Sequence, residues 1–339
     1  MMMLHWRWRL GVNAAAGLGR GAAILLVCLA TAAAGAPAAG IDVRRWLPEE
    51  TRAVLEIDPA AATRQPLARD ALSLDALLER LPHQRPEGVV ARHLTVAYIV
   101  AGGTTAPVVF SSFDGDLGRR FGRLHGAQLE NVGGHPLYRA AGEGKSAIAL
   151  LSTSCVVEGA PQAVRTVMVQ QGAARGRLAD LPPDSSTRRL FEDATTAPIT
   201  LVYLAPAGGS DLATALRDLD RLLDAGIAAG LEPYESALRM LGSTSGLRVD
   251  LHQERNELAT SLRIAMPNAV AAQMASVSLL AGRGMARVAS DAAVRAGTLR
   301  PADAKVVDAM LGTLQARADG DFLRVQLRVS ESASQMGSR

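Results

Sequence analysis

The chain has 339 residues, 48% of them hydrophobic but only 4% aromatic, and a formal charge of +3. That length can bury a large core and is enough for about two domains. The scarcity of aromatic rings argues against the stacking platforms used to hold sugars or bases, so the core must be mostly Ala, Val and Leu.

The N-terminus carries the most specific signal. Residues 1–20 contain Arg7, Arg9 and Arg20 and no acid, and an apolar run follows from Ala22 to Ala30. Small residues then lead to Ala36-Pro37-Ala38. A basic segment, a short apolar core and an Ala-x-Ala site form the plan of a secretory signal peptide. The expectation is a signal over 1–38, a mature chain from Ala39, and a periplasmic or secreted location. An uncleaved signal would instead anchor the chain to a membrane by its N-terminus. Val27 stands before Cys28, where lipoprotein attachment wants a small residue. Loss of the three signal arginines takes the formal charge from +3 to 0. The basic pI of the precursor therefore supports neither a nucleic-acid partner nor an acidic membrane surface. Cys155 remains as the single mature cysteine, so no internal disulfide is possible.

In the mature chain, Ala53 to Asp58 reads as a strand. Ser73 caps a helix with Leu74, Leu77, Leu78 and Leu81 on one face. Leu94–Val100 and Val108–Ser111 flank Gly102-Gly103 as a hairpin. A helix is expected from Asp114 to Leu124. Strands follow near Leu129–Val132, Leu137–Ala140, Ala147–Leu151 and Cys155–Glu158. Pro161 opens a helix with the stripe Val164, Val167 and Met168, and Gly172 closes it. The polar stretch ending in Leu181-Pro182-Pro183 is the expected linker between two halves, 39–180 and 181–330.

The second half opens with a short helix, Ser186–Asp193, and a strand, Ile199–Leu204. Ser210 caps a long helix with Leu212, Leu216, Leu219, Leu223 and Ile227 on one side. Leu247, Val249 and Leu251 alternate with Arg248, Asp250 and His252, and the alternation continues through Leu258, Leu262 and Ile264. This period-2 pattern predicts an antiparallel hairpin with one buried face. Asn268 starts a long Ala-rich helix that should break near Gly282–Gly284 and resume over Ala286–Ala296. Pro301 starts another, with Val306, Met310 and Leu314 in register. Asp319-Gly320 predicts a turn into Leu323, Val325, Leu327 and Val329. Residues 331–339 read as a disordered tail. Paired alternating strands with separate helices predict an α+β fold of antiparallel sheets and packed helices.

The candidate chemistry is sparse. Gly142-Glu143-Gly144-Lys145-Ser146 ends like a phosphate loop, but Arg139 stands where the pattern needs glycine, and a strand follows instead of a helix. Gly242-Ser243-Thr244-Ser245-Gly246 resembles a nucleophile elbow with threonine in the serine position and opposite strand–helix polarity. Ser112, Asp114, His125 and His135 are the residues that could assemble a dispersed hydrolytic site, although Asp114 serves equally as a helix cap. His125 and His135 lack a third adjoining histidine, so no metal site is predicted. No cofactor motif is found.

Two segments resemble parts of uncharacterised bacterial envelope proteins that carry signal peptides. They are Ala147–Val164, a strand–turn–strand–Gly–helix, and Leu311–Val329, a helix and hairpin around Asp319-Gly320. The resemblance implies an exported α+β protein without enzymatic activity. Together these readings give an exported, non-enzymatic protein binding a protein partner or an apolar small molecule. The alternatives are an envelope hydrolase and a structural scaffold whose amphipathic helices pack on a partner. An exposed contiguous apolar patch would favour the scaffold, and a closed apolar cavity would favour the ligand.

Overall fold

The structure, a computed structural model, describes residues 43–71, 91–113, 128–139, 146–172, 176–192, 197–223, 235–297 and 300–330, together with 74, 77 and 79. The elements in chain order begin with β1 (Thr51–Ile57), α1 (Pro59–Thr63), α2 (Pro66–Ala71), β2 (Ala91–Ala101) and β3 (Thr104–Phe113). Next come β4 (Gln128–Val132), β5 (His135–Arg139), β6 (Ala147–Ser152), β7 (Cys155–Gly159), α3 (Pro161–Gly172), α4 (Ser186–Glu192) and β8 (Ile199–Leu204). The chain continues through β9 (Ser210–Asp211), α5 (Leu212–Leu223), α6 (Glu235–Met240), β10 (Ser243–Thr244), β11 (Gly246–Glu254) and β12 (Glu257–Ala265). It closes with α7 (Ala269–Arg295), α8 (Pro301–Thr313), β13 (Gln315–Asp319) and β14 (Phe322–Ser330). The fold is α+β, as its alternating strands and separate helical stripes predict.

The chain divides into two compact units. One holds residues 34–64 and 78–204. Its strands lie in the order β8-β1-β2-β3-β7-β6-β5-β4, and the pairs are antiparallel. Gly102 and Gly103 make the β2–β3 turn with φ of +60° and +81°, the left-handed pair that a two-residue hairpin turn requires. The expected stripe of α3 is inward: Val164, Val167 and Met168 are all fully buried.

The other unit holds residues 65–77 and the chain from Ala205 onward. Its sheet runs β13-β14-β12-β11, again antiparallel, beside the two-stranded β9–β10. Residues 65–77 join this unit through reciprocal amide contacts. Gln253 N–H donates to Gln65 Oε1 at 2.6 Å, and Leu67 N–H donates to Gln253 Oε1 at 3.2 Å.

The units therefore divide between Leu204 and Ala205, whereas the expected linker lies at Leu181-Pro182-Pro183. The pairing of β8 with β1 keeps the stretch beyond the prolines in the first unit. Three local expectations are corrected. Asp211, one residue beyond Ser210, caps α5, accepting from Thr214 N–H at 2.9 Å and from Thr214 Oγ1 at 2.8 Å. The hairpin β11–β12 is buried on both faces, since Arg248, Asp250 and Arg263 are buried as well as Leu247 and Val249. Finally, α7 runs unbroken through Gly282 and Gly284. Two glycines cost about 1 kcal/mol each relative to alanine, and an alanine-rich helix lying along β13 and α8 tolerates that cost. The expected helix Asp114–Leu124 lies outside the described residues.

Candidate functional site

The dispersed hydrolytic constellation is only partly described. Asp114 and His125 lie outside the described residues, as does the loop 142–145. Ser112 is the last residue but one of β3, and its Oγ donates to the His93 carbonyl at 3.3 Å. His135 opens β5, where Nδ1 bonds the Leu150 carbonyl at 3.2 Å and the ring meets Trp46 edge-on at 5.9 Å. Two strands, β7 and β6, stand between β3 and β5. Three spacings of ~4.8 Å put Ser112 and His135 roughly 14 Å apart along the sheet, well beyond the ~3 Å reach of a nucleophile–base pair. The structure does not bring these two together.

The Gly242–Gly246 turn has a structural role. Thr244 is buried, and its hydroxyl sits 2.8 Å from the carbonyls of both Gly246 and Ala265 while accepting from Gly246 N–H at 3.1 Å. That ties the start of β11 to the end of β12 and leaves the hydroxyl engaged. Among the described residues no group of His, Cys, Asp and Glu could hold a metal ion.

Cys155 is enclosed, and burial pushes its thiol pKa up from 9.0 to about 12. A raised acid pKa means the neutral thiol is the form compatible with the fold. The associated stability is present below pH 9 and is lost as pH rises toward 12. Native protein at pH 8 should therefore leave Cys155 unreacted with a thiol reagent such as DTNB, and reaction should appear only on unfolding. Stoichiometric labelling of the native chain at that position would contradict this.

A cleft of about 510 Å³ lies in the first unit, lined by Arg44, Arg45, Arg177 and Arg188 with Asp180 and Glu192. Arg177 grips Asp180 through two bonds of 2.7 and 2.9 Å, and its hydrogen bond holds the Asp180 carboxyl below the usual range. Arg188 pairs with Glu192 at 2.6 Å and donates to the Leu181 carbonyl. These charged walls do not resemble a pocket for an apolar ligand.

The second unit carries two features that sequence reading did not single out. The first is a row of arginines across its sheet. Arg248 registers with Arg263, Arg263 with Arg324, and Arg324 with Arg317, one from each of β11, β12, β14 and β13. Like charges directly opposite one another destabilise a sheet, and the row is compensated from within. Asp250 holds Arg248 in a buried pair, Phe322 lies under Arg263 with the guanidinium carbon 4.0 Å from the ring centre, and Asp319 bonds Arg324 at 2.6 Å. The available signal was an arginine on the same face of each of these successive alternating strands.

The second feature is the orientation of α7. Small residues face inward: Ala272, Ala275, Ser276 and Ser290 are buried. Most of the large apolar side chains face outward, Leu279 and Val294 being half-buried. Val270, Met274, Val277, Leu280, Met285 and Val288 are exposed, from 42% at Leu280 to 74% at Met285. A helix serving only its own core would turn the larger side chains inward. Isolated surface apolar residues are ordinary, but a continuous stripe marks an interaction surface. Among the described residues no helix is long and apolar enough to cross a membrane.

No family model matches this chain, and no curated protein matches it. Among solved structures, crystal form I of TP0453 is similar at 13% identity, over 88% of this chain and 98% of that chain, with a TM-score of 0.44. Crystal form IV gives 13% identity over 89% of this chain and 98% of that chain, with a TM-score of 0.40.

Proposed function

We infer that this is an exported, non-enzymatic binding protein that engages a protein partner through the outer face of α7. The observation carrying this is the exposed stripe from Val270 to Val288, with small residues turned toward the sheet. An exposed apolar patch favours partner binding over an enclosed ligand. The basic–apolar–small pattern of residues 1–38 supports export.

The test uses the full chain and a dye that reports exposed apolar surface, such as ANS. Native protein should enhance the dye's fluorescence. The double variant Met274→Gln, Val277→Gln should lose most of the enhancement while circular dichroism and thermal midpoint stay unchanged. Equal fluorescence from the variant would contradict the reading. So would turnover of an ester or peptide substrate that a single side-chain substitution abolishes.

A further inference from the structure

We propose that the partner of α7 is a second copy of this chain, with the two α7 helices antiparallel about a two-fold axis at residue 279. This rests on the outer face of α7 being a protein-binding surface, and it adds the identity and geometry of the partner.

The outward residues Val270, Met274, Val277, Ala281, Gly284 and Val288 follow alternating steps of four and three. That is the 3.5-residue seam of two helices packing knobs into holes. An isologous pair needs a face complementary to itself, and this seam has that property in one orientation. With residue 279 on the axis, Val270 faces Val288 of the other copy, Met274 faces Gly284, and Val277 faces Ala281. The longest side chain thus meets the residue without one. Apart from its chain neighbours and the backbone of its own helix turn, nothing lies within 4 Å of where a Cβ on Gly284 would stand, so the space above it is open. A parallel pair would set Met274 against Met274 and Gly284 against Gly284, a clash beside a void.

The charges agree with the antiparallel arrangement. Gln273 stands beside Arg287 of the other copy, so no like charges oppose. Arg287 also has its own counter-ion, Asp308, at 3.3 Å. Arg283 is drawn aside to the Gly312 carbonyl at 2.7 Å. Asp291 falls against the first turn of the other α7, which starts at Ala269. The positive end of that helix favours a carboxylate, beside the Asn268 side chain that already caps Ala271 N–H. Residues 270–288 span roughly 28 Å and are one helix wide. That is less than the ~800 Å² per partner of a standard interface, so the dimer should be reversible, with a Kd on the order of micromolar.

Sedimentation velocity of the full chain over a wide concentration range tests the association. The expected result is a monomer–dimer equilibrium that Val277→Glu weakens at least ~tenfold. Met240→Glu, at an exposed methionine outside α7, should leave it unchanged. Orientation is tested with a short bismaleimide in a Cys28→Ser background, where Cys155 is buried. Ser278→Cys, beside the axis, should link two copies. Val270→Cys should not, because the two sites lie roughly 27 Å apart in the antiparallel pair. Equal linking at 270 and 278 would overturn the arrangement. Monomer at every concentration, with the α7-dependent dye signal intact, would overturn the second copy and leave partner binding standing. Absence of that dye signal at concentrations where the chain is monomeric would remove both. Binding to phospholipid vesicles that Val277→Glu abolishes, without dimerisation, would assign the face to a lipid surface and also overturn the proposal.

Discussion

Asp250→Ala should cost about 3–5 kcal/mol of stability, the loss expected when one member of a buried ion pair is removed. Arg248 and Asp250 stand two apart on β11 and point to the same side. The Arg248 Nε lies 3.0 and 3.1 Å from the two carboxylate oxygens, and Nη2 lies 3.0 Å from Oδ1. Both side chains are about 95% enclosed, at 5% and 6% exposure. Without the carboxylate, the Arg248 guanidinium would lie opposite Arg263 without the charge of Asp250. The double variant Arg248→Met, Asp250→Leu removes both desolvated charges and should recover most of the loss, because apolar replacements of buried pairs are often neutral. Urea unfolding reads the effect as a lowered midpoint at unchanged slope. A loss below about 1 kcal/mol for Asp250→Ala, or a double variant no better than the single, would show that the pair does not hold the arginine row.

Phe322→Ala should be equally damaging, at about 3–5 kcal/mol. The ring is fully buried at the start of β14, beside Ala265 of β12, and it carries the Arg263 guanidinium on its face. Two losses combine: a large core cavity, and a cation–π contact worth about 2 kcal/mol when desolvated. Phe322→Leu separates them, since it fills much of the volume and supplies no ring. Its cost should shrink in an Arg263→Met background, and a double-mutant cycle reads the difference as the cation–π coupling. Zero coupling would reduce Phe322 to a space-filling role.

Much of the architecture was legible in local pattern. The Gly102-Gly103 and Asp319-Gly320 turns, the stripe Val164, Val167 and Met168, and the alternation of β11 and β12 each depend on neighbours within a few residues. The misreadings have physical causes. Gly282 and Gly284 looked like a break, because propensity weighs the glycines alone and not the packing along β13 and α8. The polar face of β11 looked solvated, because alternation reports which residues share a face and not what covers it. The division at Leu181 looked plausible because prolines punctuate it, yet β8 lies beyond it and pairs with β1. The hydrolytic candidates shared a stretch of sequence, but β7 and β6 stand between Ser112 and His135.

By itself, the sequence determined the basic–apolar–small pattern of residues 1–38, the small aliphatic core, Cys155 as the one cysteine beyond that segment, and the α+β class. These follow from composition and from periods of two and 3.6 residues, which are local quantities. Only the tertiary structure decided which side of α7 faces out and which strands bring Arg248, Arg263, Arg324 and Arg317 into one row. A helix's period shows which residues share a face. Which face is buried depends on the sheet it meets, and α7 packs along β13 with Ala272, Ala275, Ser276 and Ser290 buried while Val270, Met274, Val277, Met285 and Val288 remain outside.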